Sequence, residues 1–389
     1  MFESVFRHIK RRTISHLEYS CNPFQFVKFI PRHIFIKASS YTMSVQRAIQ
    51  IQRPKVAKLV TDAPIPSIRD DYVKVKTVAV ALNPTDWKHI DFLATEGAIV
   101  GCDYSGIVEE VGSAVTNLKV GDKVAGFVHG SNGDNIEDGA FAEHIVAKAA
   151  IQIKIPDNIS FEEASTLGVG ITTVGQGLYQ SLELPWPSTT SITTDKSPAI
   201  LIYGGSTATG TLAIQFAKLS GFKVLATASP HNFNLLRSLG ADEVFDYHSP
   251  TVGAEIRAAT NDRLAHVFDC IASESSVAIS AEAISSTGGA YSSLLLVKEF
   301  PRADVENKRT LAYTGIGETF HKGGTEFPAD QSHLDFQVKF WELSRELLAQ
   351  GKVKVHPPEV REGGLEKILE GAEDLKHNRV SGVKLVYRV

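Results

Sequence analysis

The stretch "ILIYGGSTATG" (residues 200–210) decides how this chain folds. Its apolar run, Ile200 to Tyr203, passes straight into Gly204 and Gly205, and "TGTLAIQFAKLSG" follows with the spacing of a helix. An uninterrupted apolar run reads as a strand buried on both faces. A strand that turns through glycines into a helix is where a parallel α/β sheet holds a dinucleotide. Thr207 stands where another glycine would complete the G-x-G-x-x-G spacing that ends at Gly210. Backbone N–H groups around Ala208, with the hydroxyls of Ser206, Thr207 and Thr209, suit a pyrophosphate. The plainer alternative is an ordinary glycine-rich turn between strand and helix.

The text downstream favours the cofactor reading. "KVLATAS", "HNFNLLRSLGA", "EVFDYH", "LAHVFDCI" and "GGAYSSLL" alternate strand and helix patterns, which means a parallel sheet flanked by helices. An acid at the end of the second strand would pair with the ribose 2′-hydroxyl and repel a 2′-phosphate. That strand ends "ATASPHNF", with Ser229, Pro230, His231 and Asn232 but no Asp or Glu, and Tyr247 closes the next strand. NADPH is therefore expected, although no arginine stands at the strand end.

Upstream, "DYVKVKTVAVAL", "GIVEEVGSAV", "GDKVAGFV" and "FAEHIVAKAAIQIKIP" alternate as short strands with Gly or Pro punctuation, implying a barrel-like β domain. "SFEEASTLGVGITTVGQGLYQSL" reads as helices, opened by Ser160 with Glu163 at capping-box spacing. Residues 185–198, rich in Pro, Ser and Thr, read as a connector. The tail from Gly364 gives a helix and a closing strand able to return to the first domain.

Composition excludes several classes. The 389 residues, 43% apolar, exceed one small core and suggest two domains. A formal charge of −4 with pI near 6.4 gives no footprint for nucleic acid, and no apolar run is long enough to span a membrane. Residues 1–42 carry seven Lys/Arg (Arg7, Lys10, Arg11, Arg12, Lys28, Arg32, Lys37) against Glu3 and Glu18, a net of +5 that leaves −9 on the rest. This basic extension, residues 1–44, reads as a presequence or as a mis-called start ahead of Met43. Cys21, Cys102 and Cys270 have no short spacing, which argues for a reducing compartment and against a disulfide framework or a multi-cysteine metal site.

With "NPTDWK" (83–88), "GCDYSGIVEEVG" (101–112), "YGGSTATG" and a returning "SGVKLV" in hand, the chain from about residue 45 resembles the medium-chain dehydrogenase/reductase superfamily. The resemblance implies an α/β fold with a GroES-like catalytic domain over 45–165, a doubly wound Rossmann domain over 166–315 and a return to the catalytic domain over 316–389. Zinc alcohol dehydrogenases of that superfamily carry Cys-x-Thr-Asp and Gly-His-Glu where this chain has Asn83 and "GCD". A substitute trio of Cys102, Asp103 and His89 is disfavoured, so no metal is expected.

Zinc-free members reduce activated double bonds. A conjugated carbonyl spreads the arriving charge into an enolate that hydrogen bonds can stabilise. A proton must then reach the α-carbon from a side chain or water. "YGGSTATG", "SPHNF", "GADEVFDY" and "FDCI" together are similar to trans-acting enoyl reductases of fungal polyketide synthases. That resemblance assigns Asn83, Pro84, Thr85, Asp86, Trp87 and Lys88 to the nicotinamide side of the cofactor. It assigns Ser206 to Thr209, Ser229 to Asn232 and Tyr247 to the phosphates and adenosine, Leu294 and Leu295 to the nicotinamide pocket, and Gly382 with Val383 to the far side.

For substrate it points to Gly168, Val169, Gly170, Ile171, Thr172, Thr173, Val174 and Gly175, and to Gly315, Ile316, Gly317, Glu318 and Thr319. Glycines at the first stretch equally suit close helix packing. The tyrosine that mitochondrial enoyl thioester reductases use after their "NP-x-D" motif has no counterpart in 87–101. Lys88, for orienting the enolate, and Thr173 are then the catalytic candidates, with solvent as an alternative proton source.

The leading expectation is an NADPH-dependent enoyl reductase of α,β-unsaturated acyl thioesters, acting in trans on the carrier protein of a polyketide synthase. The resemblance implies a monomer; a cytoplasmic protein is expected, or a mitochondrial one if the basic leader is a presequence. Alternatives are a quinone or enone reductase, a mitochondrial enoyl reductase, and a cofactor-bound scaffold without turnover.

Overall fold

A computed structural model describes residues 44–190, 194 and 196–389. The basic extension expected at 1–44 lies outside the described residues except for Ser44, as does Cys21.

The β-rich half opens with the antiparallel hairpin β1 (Val45–Arg53) and β2 (Val56–Pro64). β3 (Tyr72–Ala81) leads to helix α1 (Pro84–Phe92), then to β4 (Asp103–Val111), β5 (Lys123–Phe127), β6 (His144–Lys148) and β7 (Gln152–Lys154). Alternation in "YVKVKTVAVA" sends Val73, Val75, Ala79 and Ala81 inward while Lys76 stays exposed, the period-2 signature of a strand over a core. Pro84 starts α1 at its first position, where a missing N–H costs nothing.

Short helices α2 (Phe161–Ala164) and α3 (Gly168–Val174) follow. The capping box is formed: the Ser160 hydroxyl accepts from Glu163 N–H, and the Glu163 carboxylate accepts from Ser160 N–H. The helical text expected over 160–182 is nonetheless broken after Ala164 and ends in a π-helical stretch, Gly175–Ser181.

The second half alternates β8 (Ala199–Tyr203), α4 (Ala208–Leu219), β9 (Lys223–Ala228), α5 (Phe233–Ser238), β10 (Glu243–Asp246), α6 (Val252–Ala259), β11 (His266–Asp269), α7 (Glu274–Ala283), β12 (Gly289–Ser293) and β13 (Val305–Arg309). Its six strands are parallel in the order β10-β9-β8-β11-β12-β13. The crossover after β10 places the sheet's switch point beside β8 and β11, where such sheets bind dinucleotides. This is the expected doubly wound α/β architecture. Ile200, Leu201 and Ile202 are wholly buried, because helices cover both faces of the sheet.

Beyond it come a hairpin, β14 (Phe320–Lys322) and β15 (Thr325–Phe327), then helix α8 (Gln331–Ala349), β16 (Pro358–Arg361), α9 (Gly364–Lys376) and β17 (Lys384–Arg388). β17 pairs antiparallel with β3, so the last strand closes the sheet that the first half began. Among the described residues no helix is long and apolar enough to cross a membrane.

Candidate active site

The turn after β8 is built by its glycines and one threonine. Gly204 has φ +76°, a left-handed conformation that glycine adopts without penalty. A Cβ on Gly210 would sit 2.4 Å from the Gly204 carbonyl, so only glycine lets α4 start so close to β8. Thr207 is the N-cap of α4: its hydroxyl donates to Gly204 O at 2.8 Å and accepts from Gly210 N–H at 2.9 Å. The hydroxyl expected to reach a pyrophosphate is therefore engaged in the cap. Ser206 and Ala208 remain half-buried beside the helix start, and Thr209 is buried.

At the end of β9 the residues singled out from the sequence converge. Ser229 Oγ lies 3.2 Å from Tyr247 Oη. His231 Nε2 is 3.0 Å from Ser381 Oγ, to which Asn232 Nδ2 also donates at 3.0 Å. Pro230 opens the 3-10 turn that carries His231 and Asn232. Gly382, with φ +69°, passes so close to Asn232 that a Cβ would stand 2.6 Å from its Oδ1, and half-buried Val383 follows. Leu294 and exposed Leu295 leave the C-terminal edge of the parallel sheet, two strands from Gly204.

Two residues beyond Gly382, the chain delivers Lys384 to the other end of this site. Its ammonium donates to Asn83 Oδ1 at 2.8 Å, to Asp103 Oδ2 at 2.5 Å and to Thr166 O at 3.3 Å. Asp103 Oδ1 accepts from Val169 N–H at 2.6 Å, at the start of α3. Segment 381–384 thus joins the SPHN turn to the NPTDWK helix.

Within that helix, Asp86 accepts from Asn83 N–H at 2.7 Å, and burial, far outweighing this bond, pushes its carboxyl up to about 8. Asn83 Nδ2 and Asp86 Oδ1 are buried without a protein partner. Trp87 and Lys88 are half-buried; Lys88 Nζ lies 5.7 Å from the Trp87 ring centre, and burial lowers its pKa.

The open cleft of the β half borders the C-terminal end of α1. It has a volume of about 340 Å³ and is bordered by His89, Phe92 and Leu93 of α1, His129 and Ser131 after β5, and Lys322 of β14. Beneath it Tyr313 is buried, its ring stacked on His129 at 4.2 Å between centres, its hydroxyl 2.9 Å from Thr85 Oγ1 and 3.7 Å from Cys102 Sγ. Lys322 Nζ stands 3.9 Å over the Tyr313 ring centre and contacts His89 Nε2. Burial pushes the Cys102 thiol up, which fits a small buried side chain rather than a thiolate.

Several expectations change here. Neither glycine-rich stretch borders the cleft. Gly168 packs on Asp103 and Gly126, Gly170 on Leu212, and Gly175 on Phe340. Ile171 and Val174 are core, and Thr172 accepts from Trp341 Nε1 at 3.2 Å through its hydroxyl and from Gln337 Nε2 at 3.1 Å through its carbonyl. Thr173 is buried and only Val169 is half-buried, so the close-packing alternative describes this helix.

In the second stretch Gly315 abuts Gln337, Gly317 (φ +74°) abuts Leu334, and the Thr319 hydroxyl accepts from Ala329 N–H. Glu318 accepts from Tyr72 Oη at 2.7 Å and pairs with Lys148 at 2.9 Å, and with Ile316 it borders only a void of about 10 Å³. The void is too small for an acyl chain. Cys102, Asp103 and His89 each have other partners, and among the described residues no three His, Cys, Asp or Glu side chains are gathered as metal ligands. Sequence reading did not single out His129, Tyr313 or Lys322; no local motif marks them.

Residues 69–157 match the alcohol dehydrogenase GroES-like domain family, and residues 208–293 the zinc-binding dehydrogenase family. The chain is 52% identical over 349 residues to the trans-enoyl reductase ACTTS2 of Alternaria alternata, covering 89% of this chain and all of the relative. It is 56% identical over 279 residues to the trans-enoyl reductase TOXD of Cochliobolus carbonum, covering 72% and 93% of the two chains. Among solved structures, the quinone oxidoreductase from Coxiella burnetii superposes with a TM-score of 0.68 at 25% identity, over 89% of this chain and 100% of that one. The CurK enoyl reductase gives 0.68 at 19% identity over 88% and 99%, a likeness of fold. With identity above one half along nearly the whole length of its relatives, the chain belongs to the trans-enoyl reductases of the medium-chain dehydrogenase/reductase superfamily.

Proposed function

We propose that this oxidoreductase reduces the α,β-double bond of an acyl thioester carried by a polyketide synthase in trans, with NADPH as reductant. The observation that carries the reading is the segment 381–384. It ties His231 and Asn232 at one end of the dinucleotide groove to Asn83 at the other through Ser381 and Lys384. The residues fit a bound dinucleotide. The N-terminus of α4 presents N–H groups past the Gly204 turn, and Asn83 Nδ2 is a buried donor with no protein partner.

NADPH is favoured over NADH because the end of β9 carries Ser229, His231 and Asn232 beside Tyr247, hydrogen-bonding groups without a carboxylate. Asp246, at the end of the neighbouring strand β10, is paired with His248 at 2.8 Å. When bound, the nicotinamide supplies the hydride that reaches the β-carbon. The protein's part is to hold the thioester, stabilise the enolate and deliver a proton. Phe92, Leu93 and Ala94 form an apolar wall of the cleft for the acyl chain. Lys88, half-buried on the nicotinamide side, contributes positive charge where an enolate develops.

The test is NADPH oxidation with an α-methyl enoyl pantetheine thioester and a simple quinone side by side, each with and without EDTA. Chelator-insensitive turnover of the thioester, exceeding that of the quinone, is expected. Quinone turnover with an inert thioester would move the protein to the quinone reductases instead.

A further inference from the structure

We propose that the Lys322 ammonium is the acid that protonates the α-carbon of the substrate, and that His89 is the positioning residue that aims it. The inference rests on the enoyl reduction proposed above and names the proton source that reaction requires.

Side chains from four separate segments meet in and beneath the cleft: His89 from α1, His129 after β5 and Lys322 at the end of β14 line it, and Tyr313, before β14, lies buried under them. His89 Nδ1 lies 2.7 Å from the Thr85 carbonyl, which can only accept, so Nδ1 carries the proton and Nε2 presents a lone pair. Lys322 donates into that lone pair while its charge rests over the Tyr313 ring. These two contacts fix the direction of a long, flexible side chain. Among the described residues no carboxylate pairs with Lys322; Asp91, which also borders the cleft, pairs with Lys376, and His321 pairs with Asp134.

The groups facing Lys322 are His89, His129, Tyr313 and Cys102, and none of them is a useful acid. Burial holds both imidazoles neutral, His89 down at about 4, and it raises the Tyr313 hydroxyl and the Cys102 thiol. Lys322 itself is brought down to about 8 by burial, slightly opposed by Cys102. A general acid works best with a pKa near the operating pH.

The step balances without a further reagent. Hydride arrival at the β-carbon leaves an enolate; its electron pair takes one proton from Lys322 Nζ, forming the α-C–H bond and breaking an N–H bond. Lys322 becomes a neutral amine, and water in the cleft restores its proton.

Two measurements test this. In turnover of the pantetheine thioester, kcat should fall as pH rises through about 8, because the protonated amine is the reactant. Lys322→Met should lower kcat on the order of 100-fold or more at neutral pH, with KM changed far less, and abolish that limb. Lys322→Arg, which keeps the charge but not the removable proton, should be equally slow. His89→Leu should move the limb to lower pH by removing the lone pair that favours the ammonium.

The second measurement needs no cofactor or substrate: side-chain lysine NMR of the resting protein, assigned with Lys322→Met, should show Lys322 titrating near 8. Titration in the ordinary lysine range, or a Lys322→Met enzyme that keeps both its kcat and its limb, overturns the proposal. Wild-type protein that turns over no thioester while Lys322 titrates near 8 overturns the reduction reading, and the donor role falls with it.

Discussion

Lys384 Nζ and Asp103 Oδ2, 281 positions apart in the chain, meet at 2.5 Å with both side chains sealed from solvent. The pair joins β17 to the start of β4, and through Asn83 Oδ1, Thr166 O and Val169 N–H it holds the starts of α1 and α3 against them. Where zinc relatives of the resemblance carry a glutamate beside a metal-binding histidine, this chain has a buried ion pair whose remaining oxygen and protons are also hydrogen-bonded. Such an arrangement is costly to break from one side, since the surviving charge stays buried.

Lys384→Met should accordingly destabilise the protein by about 3–5 kcal/mol. Adding Asp103→Asn should recover part of the loss, because the amide leaves no buried charge and its oxygen can still accept from Val169 N–H. Urea unfolding of the single and double variants checks both statements. Equal instability of the two would show that the pair is not the source.

Two glycines of α3 should behave in opposite ways. A Cβ at position 168 would stand 2.4 Å from Asp103 Oδ1 and 2.5 Å from the Gly126 carbonyl, neither free to move. Gly168→Ala should therefore cost about 1–3 kcal/mol of overpacking. At position 170 the obstacle is the end of the Leu212 side chain, 2.7 Å away. There Gly170→Ala should be within about 1 kcal/mol of wild type, since alanine's helix propensity offsets the repacking. Thermal unfolding of the two variants gives the comparison.

Cofactor choice should turn on the end of β9. Ser229→Asp places a carboxylate beside Tyr247, where the adenosine ribose is expected. The ratio of kcat/KM for NADPH over NADH should drop on the order of tenfold or more, from like-charge repulsion of a 2′-phosphate. An unchanged ratio would place the 2′-position elsewhere.

Acid should loosen the fold through its buried imidazoles. His356, whose Nδ1 lies 2.9 Å from Thr211 Oγ1, is driven down to about 4 by burial and then by the charge of Lys384. Between pH 4 and the unfolded-state value of about 6.5 the unfolded chain binds a proton that the folded chain refuses, so stability falls as pH drops through that window. Asp86, raised to about 8, acts in the opposite sense from its unfolded value up to there, so the comparison must be between proteins. His356→Gln should show a smaller fall in Tm between pH 6.5 and 4 than wild type, by calorimetry across that range.

The parallel half was legible because its signals are local. An apolar strand, a glycine turn and a capped helix sit side by side in "ILIYGGSTATG", and the same alternation repeats through β12. Ser229 and Tyr247 lie side by side, and Ser381 reaches Asn232, contacts between segments far apart in the chain. The role of Thr207 was less legible: its hydroxyl is spent on the helix cap, a hydrogen-bonding choice the residue type alone does not reveal. The glycines of 168–175 suited either a substrate surface or close packing, and only their neighbours Asp103, Leu212 and Phe340 separate the two.

Sequence by itself determined the α/β architecture and the glycine turn after β8, because periodicity and short motifs encode contacts between residues near one another in the chain; the reductase family came through its resemblance. Tertiary structure alone decided where the open cleft lies and what faces it. Lys322 and His89 are 233 positions apart, and Tyr313 and Thr85 228. Such neighbours are made by the packing of α1 against the segment leading into β14, a non-local contact that leaves no period or spacing in the chain to be read.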